Sequence, residues 1–215
     1  MPADTAQRMD RMYRHQRHFY DLTRKFYLLG RDRLISTLSV PPGARICEIG
    51  CGTGRNLVAL ARRYPDAEIY GVDASEEMLK SARAGIARAG LQHRIRISCC
   101  LAQSLDPAAD FGLAEKFDVV LFSYTLSMIP TWEQALDHAA RLLKPSGLLA
   151  VVDFSEQRSL PAWFRTLLRR WLALFDVTPR AGLLSYLREM AARDGGAVDA
   201  EPLCRDYACL IRYRR

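Results

Sequence analysis

The stretch ARICEIGCGTGRN, residues 44–56, constrains the fold more than any other in this 215-residue chain. A short apolar run ends in three glycines at alternate positions, Gly50, Gly52 and Gly54, and NLVALARRY (56–64) follows with helical spacing. Such a loop turns tightly, lets the backbone approach a ligand, and leads into the N–H groups at a helix start. Strand, glycine loop and helix together open a βαβ crossover, so a parallel sheet is expected.

The rest of the chain keeps that alternation. EIYGVD (68–73) reads as a second strand and 75–90 as a helix capped by Ser75, with Met78 and Leu79 turned inward. Strands are expected at 94–99, 116–124 and 148–154, with a helix over 131–147 stopped by Lys-Pro-Ser-Gly. Two helical patterns occupy 159–193, and a strand pair closes the chain after Asp194-Gly195-Gly196. The fold class is therefore α/β, a doubly wound Rossmann-like sheet with helices on both faces. One domain is expected, divided into a helical arm or lid (1–40), a ligand-binding core (41–154), a helical insertion after strand 5 (155–194) and the closing strand pair (195–215).

The glycine spacing discriminates between ligands. A dinucleotide fingerprint is G-x-G-x-x-G; here it is G-x-G-x-G, with Arg55 at the last required position. Glu48, just before the loop, repels a pyrophosphate and suits a ligand with an ammonium group, such as the methionine end of S-adenosylmethionine. Asp73 ends the second strand, where its carboxylate can accept hydrogen bonds from both ribose hydroxyls. The six cysteines form no CxxC pair and have no partnering histidine, so a metal site is not expected. Unpaired cysteines in or beside strands fit a reducing cytoplasm.

On Glu48, the glycine loop and Asp73, residues 44–154 resemble the class I S-adenosylmethionine-dependent methyltransferases, whose sheet has seven strands with the last antiparallel. The resemblance implies that S-adenosylmethionine is the cofactor. It places Gly50, Cys51, Gly52 and Gly54 along the methionine part, Asp73 on the ribose, and Ala74 and Met78 beside the adenine; Glu48 and Asn56 are also expected to bind the cofactor. Many relatives carry an aspartate after strand 3 toward the adenine amino group. Here CLAQSL (100–105) puts Leu101 there, leaving Ala102 and Gln103 to serve.

The end of the fourth strand, FSYTLSMIPTW (122–132), faces the methyl group in that family. It lacks Asn-Pro-Pro-Tyr and offers hydroxyls instead: Ser123 beside the cofactor, Tyr124 as a catalytic proton acceptor or relay, and Ser127 toward the substrate. Tyr124 has an equally ordinary reading as a packed core tyrosine.

The +7 net charge is localised. Residues 1–36 hold 8 Lys+Arg against 4 Asp+Glu and residues 155–193 hold 7 against 3. Both segments interleave bases with apolar side chains: Met9, Met12, Tyr13 and Tyr20 share a helical stripe in the arm, and Trp163, Phe164, Leu167, Leu168, Trp171, Leu172 and Phe175 do so in the insertion. Core packing explains such a stripe. So does contact of 1–36 and 159–180 with an anionic membrane surface. No stretch reaches the ~20 apolar residues of a membrane span, so a cytoplasmic protein peripherally associated with the inner face of the membrane is expected.

YRHQRHFYDLTRKFYLLGRDRLI (13–35) ahead of this loop, with FDVTPR (175–180), resembles bacterial lipid N-methyltransferases, above all those that trimethylate diacylglycerylhomoserine in betaine-lipid synthesis. The resemblance implies a lipid substrate with an amino headgroup. It makes Tyr20 a catalytic residue that closes over the cofactor. Tyr13, Arg24, Arg31 and Arg180 become candidates for substrate binding, the arginines for its carboxylate. Phosphatidylethanolamine N-methyltransferases share the Tyr20-Asp21 pair. An RNA methyltransferase is also basic, but no RNA-binding module is recognisable and nucleic acid is not expected as a partner. A cofactor-binding regulator without turnover is the non-enzyme alternative. The oligomeric state is not legible.

Overall fold

The computed structural model describes residues 28–215. Seven strands form one sheet: β1 (Arg45–Ile49), β2 (Glu68–Asp73), β3 (Ile95–Cys99), β4 (Phe117–Ser123), β5 (Leu143–Phe154), β6 (Ala197–Leu203) and β7 (Ala208–Arg214). Their order is β3-β2-β1-β4-β5-β7-β6, with β1 to β5 parallel and β7 antiparallel to both neighbours. Seven helices accompany them among the described residues: α1 (Arg31–Ser36), α2 (Arg55–Arg63), α3 (Glu76–Arg88), α4 (Pro107–Phe111), α5 (Trp132–Arg141), α6 (Ala162–Ala173) and α7 (Leu183–Asp194).

The central strands are apolar on both faces, as a doubly covered sheet requires. In β4 and β5 consecutive side chains alternate between two cores. Val119, Leu121, Leu148, Ala150 and Val152 face the core built with α1, α2, α3 and α6; Val120, Phe122, Leu149 and Val151 face the one built with α4, α5 and α7. The chain passes from β1 to β2 on one side and crosses to β4 on the other. The carboxyl end of β1 is thus a topological switch point, where ligands bind in open α/β sheets.

Two boundaries differ from the sequence expectation. The helix expected over 131–147 ends at Arg141, and β5 begins at Leu143. Pro145 cannot continue a helix and biases Lys144 toward extended backbone. Leu143 pairs with Phe117, an irregularity around left-handed Ser146 intervenes, and regular pairing resumes at Val119 and Leu148. The short α4 was not anticipated. Asp106 caps it, its Oδ1 accepting from the N–H of Ala108 at 2.9 Å, with Pro107 in the first turn.

Candidate functional site

The glycine loop is fixed from below and from the side. The N–H groups of Gly50 and Cys51 both donate to the Val72 carbonyl, at 2.8 and 2.9 Å, locking the loop onto the end of β2. Gly50 has φ +76°, and a Cβ there falls 2.1 Å from Cγ2 of Thr125, in the loop after β4. The position therefore excludes any side chain on two independent counts.

Asp73 ties the same loop from β2. Its Oδ2 accepts from the Gly52 N–H at 2.8 Å and its Oδ1 from the Ser75 N–H at 2.9 Å. A carboxylate oxygen can accept two hydrogen bonds, so this architecture is compatible with a ribose diol at the same group. Ala74 follows directly, half-buried, its carbonyl 3.9 Å from the Cys99 sulfur. Met78 is buried and its N–H donates to Ser75 Oγ at 3.4 Å. Ala102 is buried and Gln103 half-buried in the turn after β3.

Glu48 is 1% exposed and stands one residue before the end of β1. Asn56, in the first turn of α2, donates to its Oε1 at 2.6 Å and fixes its orientation. Glu48, Gly50, Cys51, Asn56 and Ser123 line one cavity, and Arg31 closes it from α1. The sequence reading makes Arg31 a substrate ligand, and the structure places it at this cavity. Its side chain, 17% exposed, lines that cavity while its guanidinium donates to Asp32 Oδ1 at 3.2 Å. One carboxylate and one guanidinium bracketing a glycine cradle, with an acid at the end of β2, match the ammonium, carboxylate and ribose of S-adenosylmethionine. These residues fit that cofactor.

Three expectations are corrected. Tyr124 is 2% exposed, its ring packs on Phe154 with centroids 4.7 Å apart, and its hydroxyl donates to the Leu29 carbonyl. Burial, with Asp153 nearby, pushes its ionisation far up, so it is the packed core tyrosine and not a proton acceptor. Ser127 is fully buried, its N–H donating to Asp153 Oδ2 at 3.1 Å and its carbonyl accepting from Thr178. Arg180 donates to the carbonyls of Leu126 and Ile129 at 3.0 and 2.8 Å, clamping the loop after β4. Tyr13, Tyr20 and Arg24 lie outside the described residues.

Asp153 was missed. It follows the apolar run of β5 as Asp73 follows that of β2, which is the signal that finds it. Burial pushes its pKa up to about 6, against hydrogen bonds from Ser127 and Phe154 that pull it down.

Residues 41–178 match the family described as "Methyltransferase domain". Nocamycin O-methyltransferase of Saccharothrix syringae is 30% identical over 171 residues, 79% of this chain and 59% of its own length. Demethylmenaquinone methyltransferase of Listeria monocytogenes serotype 4a is 31% identical over 140 residues, 65% and 56% of the two chains. The chain therefore spans somewhat over half the length of these curated relatives. Among solved structures, YcgJ of Bacillus subtilis superposes with a TM-score of 0.67 at 18% identity, covering 86% of this chain and 97% of that one. An O-methyltransferase family protein from Burkholderia thailandensis gives 0.69 at 21%, covering 94% and 61%. Both share the seven-stranded fold described above. Family match and fitted site agree on S-adenosylmethionine as the cofactor, and the chain belongs to the methyltransferase-domain family.

Proposed function

We propose that the protein methylates the nitrogen of a membrane lipid amine, trimethylating diacylglycerylhomoserine to the betaine lipid. One observation carries the choice of nitrogen. The three buried carboxylates among the described residues, Glu48, Asp73 and Asp153, sit at or next to the carboxyl ends of β1, β2 and β5, and no Lys or Arg there is as deeply buried. Burial strengthens their field at that edge. Such an edge favours cations: the cofactor itself, and the ammonium that grows as an amine is methylated. It opposes a phenolate or enolate, the reactive forms in oxygen and carbon methylation.

Bound S-adenosylmethionine supplies a methyl group already activated on a sulfonium. The chain supplies orientation, which accounts for most of the rate in such transfers. Glu48 and Arg31 hold the amino-acid end and Asp73 the ribose. Ser123 is buried at the end of β4 and its Oγ has no hydrogen-bond partner among the described residues, which supports a position beside the reacting end. With Arg31 at the cofactor and Arg180 clamping a loop, Arg24 is the arginine left for the headgroup carboxylate. The lipid class is supported by the resemblance of 13–35 to lipid N-methyltransferases. No described helix is long and apolar enough to cross a membrane.

A second reading, methylation of a quinone-type carbon, is favoured by the 31% identity to demethylmenaquinone methyltransferases. The test is transfer from labelled S-adenosylmethionine to diacylglycerylhomoserine, phosphatidylethanolamine and a demethylated quinone, with products separated by chromatography. Label carried through to the trimethylated homoserine lipid supports the proposal. Label only in phosphatidylethanolamine moves the headgroup, and label only in the quinone overturns the nitrogen assignment.

A further inference from the structure

Helix α6 is apolar on two faces. Leu168 and Leu172 turn into the core beside Val177. On the opposite side Trp163, Leu167 and Leu174 stand 71%, 60% and 73% exposed. Five large apolar side chains are exposed among the described residues, and four of them, these three and Phe164, belong to α6 or the residue just after it. Scattered exposed leucines are ordinary, but this concentration on one helix is an exposed apolar surface among the described residues.

The same segment is basic, although Arg158 pairs with Glu156 just before it. From 157 to 175 the sequence holds Arg158, Arg165, Arg169 and Arg170 and no acidic residue. Arg170 lies on the exposed stripe itself, between Leu167 and Leu174 at helical spacing. That charge selects the occupant. A second copy brings the same four arginines, and residues 1–27 bring six Lys+Arg against three Asp+Glu. Both approach with like charge, whereas an anionic bilayer surface approaches with the opposite one. Tryptophan at the boundary and arginines whose stems lie along apolar surface are what an interfacial helix presents to lipid.

The position of α6 gives the contact a use. β5 ends at Phe154 and α6 begins at Ala162, packing into the same core as Tyr124 and Phe154. The helix therefore sits at the carboxyl edge of the sheet, where Ser123 and the cofactor loop end. We propose that the solvent face of α6 docks on an anionic bilayer and lays this edge against the membrane, so that a lipid acceptor is methylated without leaving it. That use rests on the lipid reading above; the docking itself does not.

The test is co-sedimentation of the full chain with phosphatidylcholine vesicles with and without phosphatidylglycerol. The wild type is expected to bind the anionic vesicles, less at high salt, with a blue shift of tryptophan emission. The doubly substituted Leu167→Glu, Leu174→Glu protein is expected to bind roughly 100-fold more weakly, from the lost insertion of two leucines and the added charge. Its melting temperature and affinity for S-adenosylhomocysteine are expected to be unchanged, since both positions are exposed. R170E is expected to lose several-fold on anionic vesicles only. Absence of wild-type binding, or equal binding by the double variant, overturns the inference. A dimer that Leu167→Glu dissolves in analytical ultracentrifugation overturns it in favour of a second copy. Docking without lipid methylation removes the proposed acceptor alone, and methylation of detergent-dispersed lipid without docking removes this inference alone.

Discussion

Asp153 offers a test whose sign is fixed by the structure. Its carboxylate is buried at 1% exposure and its pKa stands near 6, against an ordinary value of 3.8. The folded protein therefore binds this proton more tightly than the unfolded chain does. Stability from the proton is fully present below about pH 4 and is lost as pH rises through about 6. Between about pH 4.5 and 7.5 the loss amounts to about 2 kcal/mol. Other groups add their own pH dependence, so the perturbation is Asp153→Asn, which removes the titration. The asparagine oxygen can still accept from Phe154 or Ser127, but its amide then faces the other N–H, a cost of about 1–3 kcal/mol independent of pH. Urea unfolding of both proteins across this range gives a stability difference, wild type minus variant, that falls by about 2 kcal/mol as pH rises. A flat difference, or one that rises with pH, refutes the account of Asp153 as a buried acid forced to ionise. It also removes one of the three charges on which the nitrogen assignment rests.

Other substitutions separate the roles of the site residues. Asp73→Asn replaces a hydrogen-bonded charge with an amide facing an N–H, and S-adenosylhomocysteine affinity measured by calorimetry is expected to fall roughly 10- to 100-fold. Gly50→Ala combines left-handed strain with overlap on Thr125, and a destabilisation of about 2–4 kcal/mol in denaturant unfolding is expected. Arg31→Ala is expected to weaken cofactor binding about 10-fold while leaving KM for the acceptor unchanged; the reverse split restores Arg31 to the substrate. Tyr124→Phe removes one hydroxyl bonded to a backbone carbonyl, so about 1 kcal/mol of stability is expected to go while kcat changes less than about threefold.

The parts of this molecule legible in the sequence are those set by local chemistry and strict periodicity. Alternating apolar strands, the Ser75 cap and the G-x-G-x-G loop each rest on a few adjacent residues, and the structure builds them where the residues place them. What the sequence hid depends on long-range closure. Arg31 reads as a free cation because its sequence does not say that α1 brings it into one cavity with Glu48, or that its guanidinium bonds the neighbouring Asp32. Tyr124 and Ser127 read as site hydroxyls because a strand end points to the ligand in general. Here, however, the loop after β4 turns at once, Tyr124 at φ +57°, and both side chains enter the core. Arg180 looked like a carboxylate ligand by charge alone; its partners are two carbonyls more than fifty residues away. Charge predicts that an arginine needs acceptors, and only the fold decides whether they belong to the protein.

That distinction bears on the meaning of the +7 surplus. Much of the positive charge in the body of the protein is structural. Arg94 donates to the carbonyls of Ala61, Tyr64 and Ala67, Arg45 pairs with Glu115 and Glu68, and Arg212 with Asp199. Arginines so committed build no phosphate-binding track; Arg55, Arg62 and Arg88 line a cleft along α2 and α3, and α6 carries a concentrated basic surface at the carboxyl edge. Arginine beside tryptophan is by itself ambiguous, since single-stranded RNA binds to such pairs by stacking and charge. Leu167 and Leu174 break the tie. An exposed leucine stacks on no base and gains nothing from phosphate, whereas both fit the acyl boundary of a bilayer. Charge on α6 turned outward and carboxylates turned inward at the same edge then complement the two ends of one kind of molecule: anionic groups at the membrane surface, and an amine drawn past them to the end of β4.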